Sequence, residues 1–448
     1  MLITRFLSLA PSLTTRGQAR SRPLYTAATC SHPDLKTALA RCFPVSSAPA
    51  AGSVTVILAS RSFPGSDLLD LPSKVPSHIT KSSLVLGAVI DRVPTTSGHG
   101  VSTLIFTPSS GLISSTPFCL SGQESRRKRL KEKSVGRWAR SQDIEERSLD
   151  TADAWNAFKS ISIGRNQVQV PDAVVAKDKT DQDILVISDL EVHQFLEALD
   201  VANPKASKFG LIASSTPFIT GRPVTMFYDG KWVQDGVVGV SLAKKQAEGA
   251  VKNQLTTVEY PSMTTLGPAM QITRCRGNII LELDESNATR LLLDRLKATT
   301  LTKDKEYFLA TGPPSTSNST QEDAQLDMKK ATVYKITGGD PSKGNMAVDT
   351  VHDLEVGQWV QFIHHSKSPT EGHFDPASEK DAGRVRFTTS DPNNTIEEQF
   401  GEVNNQAPSD GLVRKVFGGS SENGFIVGLP GDNTWVCTVA DSVVEHSL

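Results

Sequence analysis

At 448 residues with 38% hydrophobic content, the chain has material for a large buried core and for two or three domains. Its formal net charge of −2 excludes the broad positive field of a general nucleic-acid or anionic-membrane binder. No run approaches the roughly 20 apolar residues of a membrane-spanning helix, so a soluble protein is expected.

From Met1 to Pro33 there is no Asp or Glu, while Arg5, Arg16, Arg20 and Arg22 are scattered among Ser, Thr, Ala and Leu. This is the pattern of a mitochondrial presequence, assigned to residues 1–30. The expected address is the mitochondrial matrix, with a cytoplasmic protein carrying a disordered tail as the alternative. Ser31 and Pro33 then open a helix with Leu35, Ala38, Leu39 and Cys42 at helical spacing. The apolar runs 54–60, 84–90 and 101–106 read as buried strands. Asp91-Arg92 follows the second of them, where α/β folds place ligand contacts, although an ion pair at a strand end explains the two residues equally well. Gly98-His99-Gly100 nearby reads as a flexible loop. Between 121 and 147 the composition turns to charge, and the basic run 126–133 reads as part of a solvated loop in preference to a nucleic-acid signal.

Strand 183–188, helix 190–199 and strand 209–213 form an α/β signature. The stretch from Ser214 to Leu242 then joins a turn-rich loop to a hairpin. Val224, Met226 and Tyr228 alternate with Thr225 and Phe227, Asp229-Gly230 suits a type I′ turn, and Trp232, Val237, Val238 and Val240 form the expected return strand. Upstream, Thr220-Gly221-Arg222-Pro223 places a backbone without a Cβ beside a guanidinium. That combination can hold a carboxylate or phosphate, or can be a plain turn with a solvated Arg. A second half begins near 255, with strands 270–274 and 279–283 around Cys275-Arg276-Gly277-Asn278 and a helix 287–296 capped by Ser286. Further strands are expected at 332–336, 346–349, 358–363, 385–388, 424–428 and 435–439, and a mobile insertion at 391–411. Gly418-Gly419-Ser420-Ser421-Glu422-Asn423-Gly424 reads as a second Gly-rich turn. It precedes a strand and no helix, unlike a P-loop or dinucleotide fingerprint.

The segments TPFITGRPVTMFYDGKWVQDGVVGVSL, MQITRCRGNIILELDESNATRLLLDRL and VFGGSSENGFIVG, in that order, resemble the successive signatures of FIST-domain proteins (F-box and intracellular signal transduction). The resemblance implies a stand-alone, fungal-type member with a FIST N-terminal domain over 31–250, including the charged loop 121–147, and a FIST C-terminal domain over 251–448. The implied class is α+β with an α/β-like first half: two packed domains with mixed sheets and helices outside. The implied function is a sensory module for a small polar ligand such as an amino acid, with a protein partner for output. The region 67–79 lacks the leucine-rich pattern of an F-box. Many relatives carry a Cys-x-Gly-Arg-Gly-like segment where this chain has Arg384-Val-Arg-Phe-Thr-Thr-Ser-Asp391, which argues against carrying over thiolate chemistry.

The candidate ligand set is therefore Thr220, Gly221, Arg222, Pro223, Asp91, Arg92, Gly419, Asn423 and Gly424. Arg222 is the expected anion contact, and the glycines are expected to admit backbone close to the ligand. No cofactor is called for by the residues, though haem is raised by the resemblance, with His364 or His365 as an axial ligand. Adjacent imidazoles on a strand face opposite ways, which favours a surface pair. Two alternatives stay open: a protein-interaction adapter without a small ligand, and an enzyme using Cys275, whose neighbours Arg274 and Arg276 would favour a thiolate. The five cysteines are far apart, with no C-x-x-C pair, and read as reduced thiols.

Overall fold

The computed structural model describes residues 25–44, 49–95, 97–108, 113–122, 168, 170–175, 180–245, 256–298, 306–315, 324–350, 352–365, 384–390 and 411–448. The basic run 126–133, the insertion 391–410 and residues 1–24 of the expected presequence lie outside them. Tyr25–Ser31 is a strand whose last five residues are buried, so the fold begins inside the segment assigned to a leader.

Two mixed sheets carry the first half. The first runs Lys231–Val233, Met226–Tyr228, Ser83–Ile90, Ser53–Ser60, Val101–Phe106, Tyr25–Ser31, Gly411–Arg414 from edge to edge. The second runs Trp435–Cys437, Phe425–Gly428, Ser207–Ile212, Thr180–Ser188, Val237–Lys245, Ile113–Leu120. Each contains one parallel pair, Ser53–Ser60 with Ser83–Ile90 and Thr180–Ser188 with Ser207–Ile212. Helices bridge each pair, and every other neighbour is antiparallel. The two sheets thus share one plan: a parallel pair, antiparallel strands beyond its first member (three in the first sheet, two in the second), and a hairpin against its second.

Side-chain alternation explains the layering. Along Ser53–Ser60, Val54, Val56 and Leu58 face the second sheet's Leu185, Ile187, Phe209, Val238 and Val240, while Ile57 and Ala59 face outward. That outer face is covered by Leu35–Cys42 and by the short helices Gly65–Leu69, Leu71–Lys74 and Ser77–Thr80. His193–Ala202 covers the outer face of the second sheet through Phe195, Leu196 and Leu199. The order is helix, sheet, sheet, helix, with the largest core between the sheets. The first helix starts later than its Ser31 signal because Asp34 supplies the cap, its Oδ2 accepting from the Thr37 N–H at 2.7 Å.

A four-stranded and an eight-stranded sheet follow, beside the short pair Ser215–Thr216 with Arg222–Val224. Thr256–Glu259, Val443–Ser447, Arg384–Thr389 and Val416–Ser421 form one, which adds Phe387 and Phe417 to the central core. In the other, Tyr307–Thr311 pairs with both Thr332–Asp340 and Trp359–His365, closing a ring with Met270–Arg276, Ile279–Leu283 and Asn345–Val348. Ala288–Ala298 packs against it through Leu292 and Leu296, with Asn287 Oδ1 accepting from Arg290 N–H at 2.8 Å in the capping role assigned to Ser286.

The class is α+β with mixed sheets and outside helices, and strand predominates. Three readings change. The boundary at 250 does not separate two independent halves, because 411–437 supplies an edge strand to the first sheet and the hairpin to the second. The return strand after Asp229-Gly230 is only Lys231–Val233, since Gly236, at φ +98, turns the chain into the second sheet, where Val237–Lys245 is an interior strand. Residues 416–421 are a buried strand, leaving only 422–424 as the turn.

Candidate functional site

The parallel strands of both sheets end at one place. Ser60-Arg61-Ser62 leaves the first, Asp91-Arg92 the second and Ala213-Ser214-Ser215 the strand Ser207–Ile212. The end of Val416–Ser421 is clamped among them. Asp91 N–H donates to Ser420 O at 3.0 Å, Ser420 N–H donates to Arg92 O at 2.8 Å, and Ser214 N–H donates to Val89 O at 3.1 Å. Carboxyl ends of parallel strands are where α/β sheets leave a crevice for ligands.

Four charges meet there. Arg61 Nη2 lies 2.8 Å from Asp91 Oδ1, Arg61 Nη1 lies 3.3 Å from Glu422 Oε1, and Arg92 Nε lies 3.6 Å from Asp91 Oδ2. Asp91 is only 5% exposed. Glu422 Oε1 also accepts the Ser215 N–H at 2.8 Å, and Asn423 Nδ2 donates to Ala213 O at 2.8 Å and Ser215 Oγ at 3.3 Å. Within this cluster, Arg61 Nε, Ser420 Oγ and Glu422 Oε2 are buried without a hydrogen-bond partner among the described residues. Buried polar atoms are nearly always paired, so three unpartnered ones in this cluster set it apart from the rest of the core as a candidate site.

The structure brings Asp91, Arg92, Gly419, Asn423 and Gly424 together, and adds Arg61 and Glu422. Thr220 to Pro223 lies alongside, through the pairing of Ser215 with Val224 and Thr216 with Arg222. Its roles differ from expectation. The Arg222 guanidinium sits over the Trp232 ring, 5.4 Å from its centroid, and Thr220 Oγ1 bonds Thr225 Oγ1 at 2.7 Å. Nor do two of the glycines give a ligand room. A Cβ on Gly419 would lie 2.2 Å from Ile90 Cδ1, and one on Gly424 would lie 2.3 Å from Cys437 O. Of these three glycines, only Gly221, at φ +75, has open space beside its Cα.

Cys275 is not an activated thiol. Its Sγ donates to Leu354 O at 3.1 Å, and burial, with Asp353 and Glu355 nearby, pushes its pKa up. The flanking arginines do not reverse that effect. His364 Nδ1 lies 2.8 Å from His365 O, and His365 packs edge-on against Phe308 at 5.5 Å. A polar set that sequence spacing could not reveal is His446 between Thr256 Oγ1, at 2.8 Å, and Asp183 Oδ2, at 3.4 Å. All three are buried, with Phe209 stacked on the imidazole, so the set ties the third sheet to the second.

Residues 79–286 match the family model described as the FIST N domain. The chain carries a FIST N domain. A search of curated proteins finds no match to the chain. FIST domains are of the small-ligand-binding signalling class. Here the FIST N domain contributes Asp91, Arg92, Ser214 and Ser215 to the charged cluster, whereas Arg61 precedes it and Ser420 to Asn423 follow it.

Proposed function

We propose that this protein is a ligand-sensing module whose charged cluster receives a small zwitterion, an amino acid being the simplest, and that a C-terminal FIST half completes the site. The carrying observation is the gathering of Arg61 Nε, Ser420 Oγ and Glu422 Oε2, each buried and unpartnered, at the carboxyl ends of the parallel strands. A ligand bearing both charges complements a cluster of two guanidiniums and two carboxylates. Arg61 and Arg92 take the anion-binding role first assigned to Arg222. Signal output runs through a protein partner. In a panel of the twenty amino acids followed by thermal denaturation, one chemical class stabilises the protein, by about 2.7 kcal/mol at a hundredfold excess over Kd. Arg92→Ala abolishes the gain and Arg222→Ala preserves it. No stabilisation by any amino acid, or a gain that survives Arg92→Ala, refutes the reading.

The acid-free, arginine-bearing stretch before Tyr25 supports import into the mitochondrial matrix. Residues 1–24 fused to a fluorescent reporter should direct it to mitochondria, and a diffuse cytoplasmic signal would refute that address. Among the described residues no helix is long and apolar enough to cross a membrane.

A further inference from the structure

Beside the ligand cluster, the turn at Ser60-Arg61-Ser62 meets the loop 97–100 through a chain of hydrogen bonds whose direction is fixed at both ends. At one end the Gly100 N–H can only donate, and it reaches Ser60 Oγ at 3.0 Å. At the other, the His32 carbonyl can only accept, and His99 Nε2 lies 3.0 Å from it. His99 therefore carries its proton on Nε2, which leaves the Nδ1 lone pair free to accept. Ser62 Oγ lies 2.5 Å from that Nδ1, so its hydroxyl is the donor. Ser60 Oγ, 2.7 Å from Ser62 Oγ, completes the run by donating in turn. Phe63 holds the imidazole from the side, with ring centroids 4.3 Å apart. Ser62 itself is exposed.

We propose that Ser62 and His99 are a nucleophile and general base acting on small carboxylic esters. An exposed hydroxyl hydrogen-bonded to an oriented neutral imidazole is the arrangement that activates serine, here with a backbone carbonyl as the orienting third group. Burial lowers the His99 pKa, against the hydrogen bond to the His32 carbonyl, which raises it, and so favours the unprotonated base near neutral pH. Ser62 Oγ bonds to the acyl carbon as its proton passes to His99 Nδ1. The ester C–O bond breaks and the departing alkoxide takes that proton. Water then attacks the acyl carbon, gives a proton to His99 Nδ1, and the carboxylic acid leaves as Ser62 recovers its hydrogen. Atoms and charges balance with an ester and water as the only reactants. The proposal is independent of the zwitterion reading, since neither Ser62 nor His99 belongs to the orphaned set.

The folded full-length protein is treated with a fluorophosphonate probe, and the adduct is mapped by peptide mass spectrometry. The expected result is modification at Ser62, absent in Ser62→Ala and at least tenfold slower in His99→Phe, which keeps a ring against Phe63 but has no base. Ser60→Ala leaves the pair in place and keeps the adduct. A folded wild-type protein that takes no label at Ser62 overturns the proposal, as does labelling of Ser62 that is equally fast in His99→Phe, because either result leaves the hydrogen bond a purely structural one.

Discussion

Replacing Asp91 by Asn removes one charge from the cluster without changing its shape. Asp91 is 5% exposed, and Arg61 Nη2 approaches it to 2.8 Å. With charge centres about 4 Å apart and an effective dielectric of about 20, the attraction is about 4 kcal/mol. Arg61 keeps about a fifth of its side-chain surface in solvent and also touches Glu422, so desolvation and screening reduce the net pair coupling to about 2 kcal/mol. Asp91→Asn alone should cost about 3 kcal/mol, because it also leaves a partly buried guanidinium short of a counter-charge. The assay is urea denaturation of wild type, Asp91→Asn, Arg61→Met and the double variant. The cycle should return about 2 kcal/mol of coupling, a change of about thirtyfold in the unfolding constant. A coupling below about 0.5 kcal/mol would mean that the cluster is solvated and not an organised site.

The common plan of the two sheets makes a paired prediction at glycine. A Cβ on Gly87 would lie 1.8 Å from Ile57 O, and one on Gly210 would lie 1.8 Å from Val186 O, each across the parallel pair of its own sheet. Both alanine variants should lose at least about 3 kcal/mol in denaturant unfolding, against about 1 kcal/mol for Gly221→Ala, which meets only backbone strain; equal losses in all three would refute this. At Cys437, burial pushes the thiol up to about 12 from its ordinary 9.0, so its thiolate fraction at pH 8 is about a thousandth of a free thiol's. Iodoacetamide should leave Cys437 unmodified in native protein and alkylate it after unfolding. Rapid modification in the native state would contradict the buried placement.

The strands of the first half were legible because runs such as 54–60 and 84–90 are apolar on both faces, as strands sandwiched between a sheet and helices have to be. Val416–Ser421 was hidden by its two glycines, which composition reads as a turn. In the fold they permit close packing: a Cβ on Gly418 would meet Arg386 O at 2.0 Å, and one on Gly419 would meet Ile90. Asp91, Arg92 and Asn423, which meet in the charged cluster, were flagged because strand ends and Gly-rich turns mark crevices in α/β patterns. Arg61 and Glu422 could not be, since they meet each other across 361 positions and Glu422 meets the Ser215 N–H across 207. Arg222 has a partner that sequence could not place for a related reason. Its guanidinium lies over the indole of Trp232, which an anion-site motif does not anticipate.

The order in which strands enter the two sheets has a consequence for biosynthesis. The parallel core of each sheet is translated early, but Met226–Tyr228 and Lys231–Val233 arrive long after Ser83–Ile90, and Phe425–Gly428 long after Ser207–Ile212. Until then the nascent chain displays apolar strands with unpaired edges, the state most prone to intermolecular pairing. A fragment ending at residue 286 would leave the Ser207–Ile212 edge open permanently. The matched domain is thus a unit of ancestry without being a unit of folding, and a ribosome has to reach the last strands before the first sheets can close.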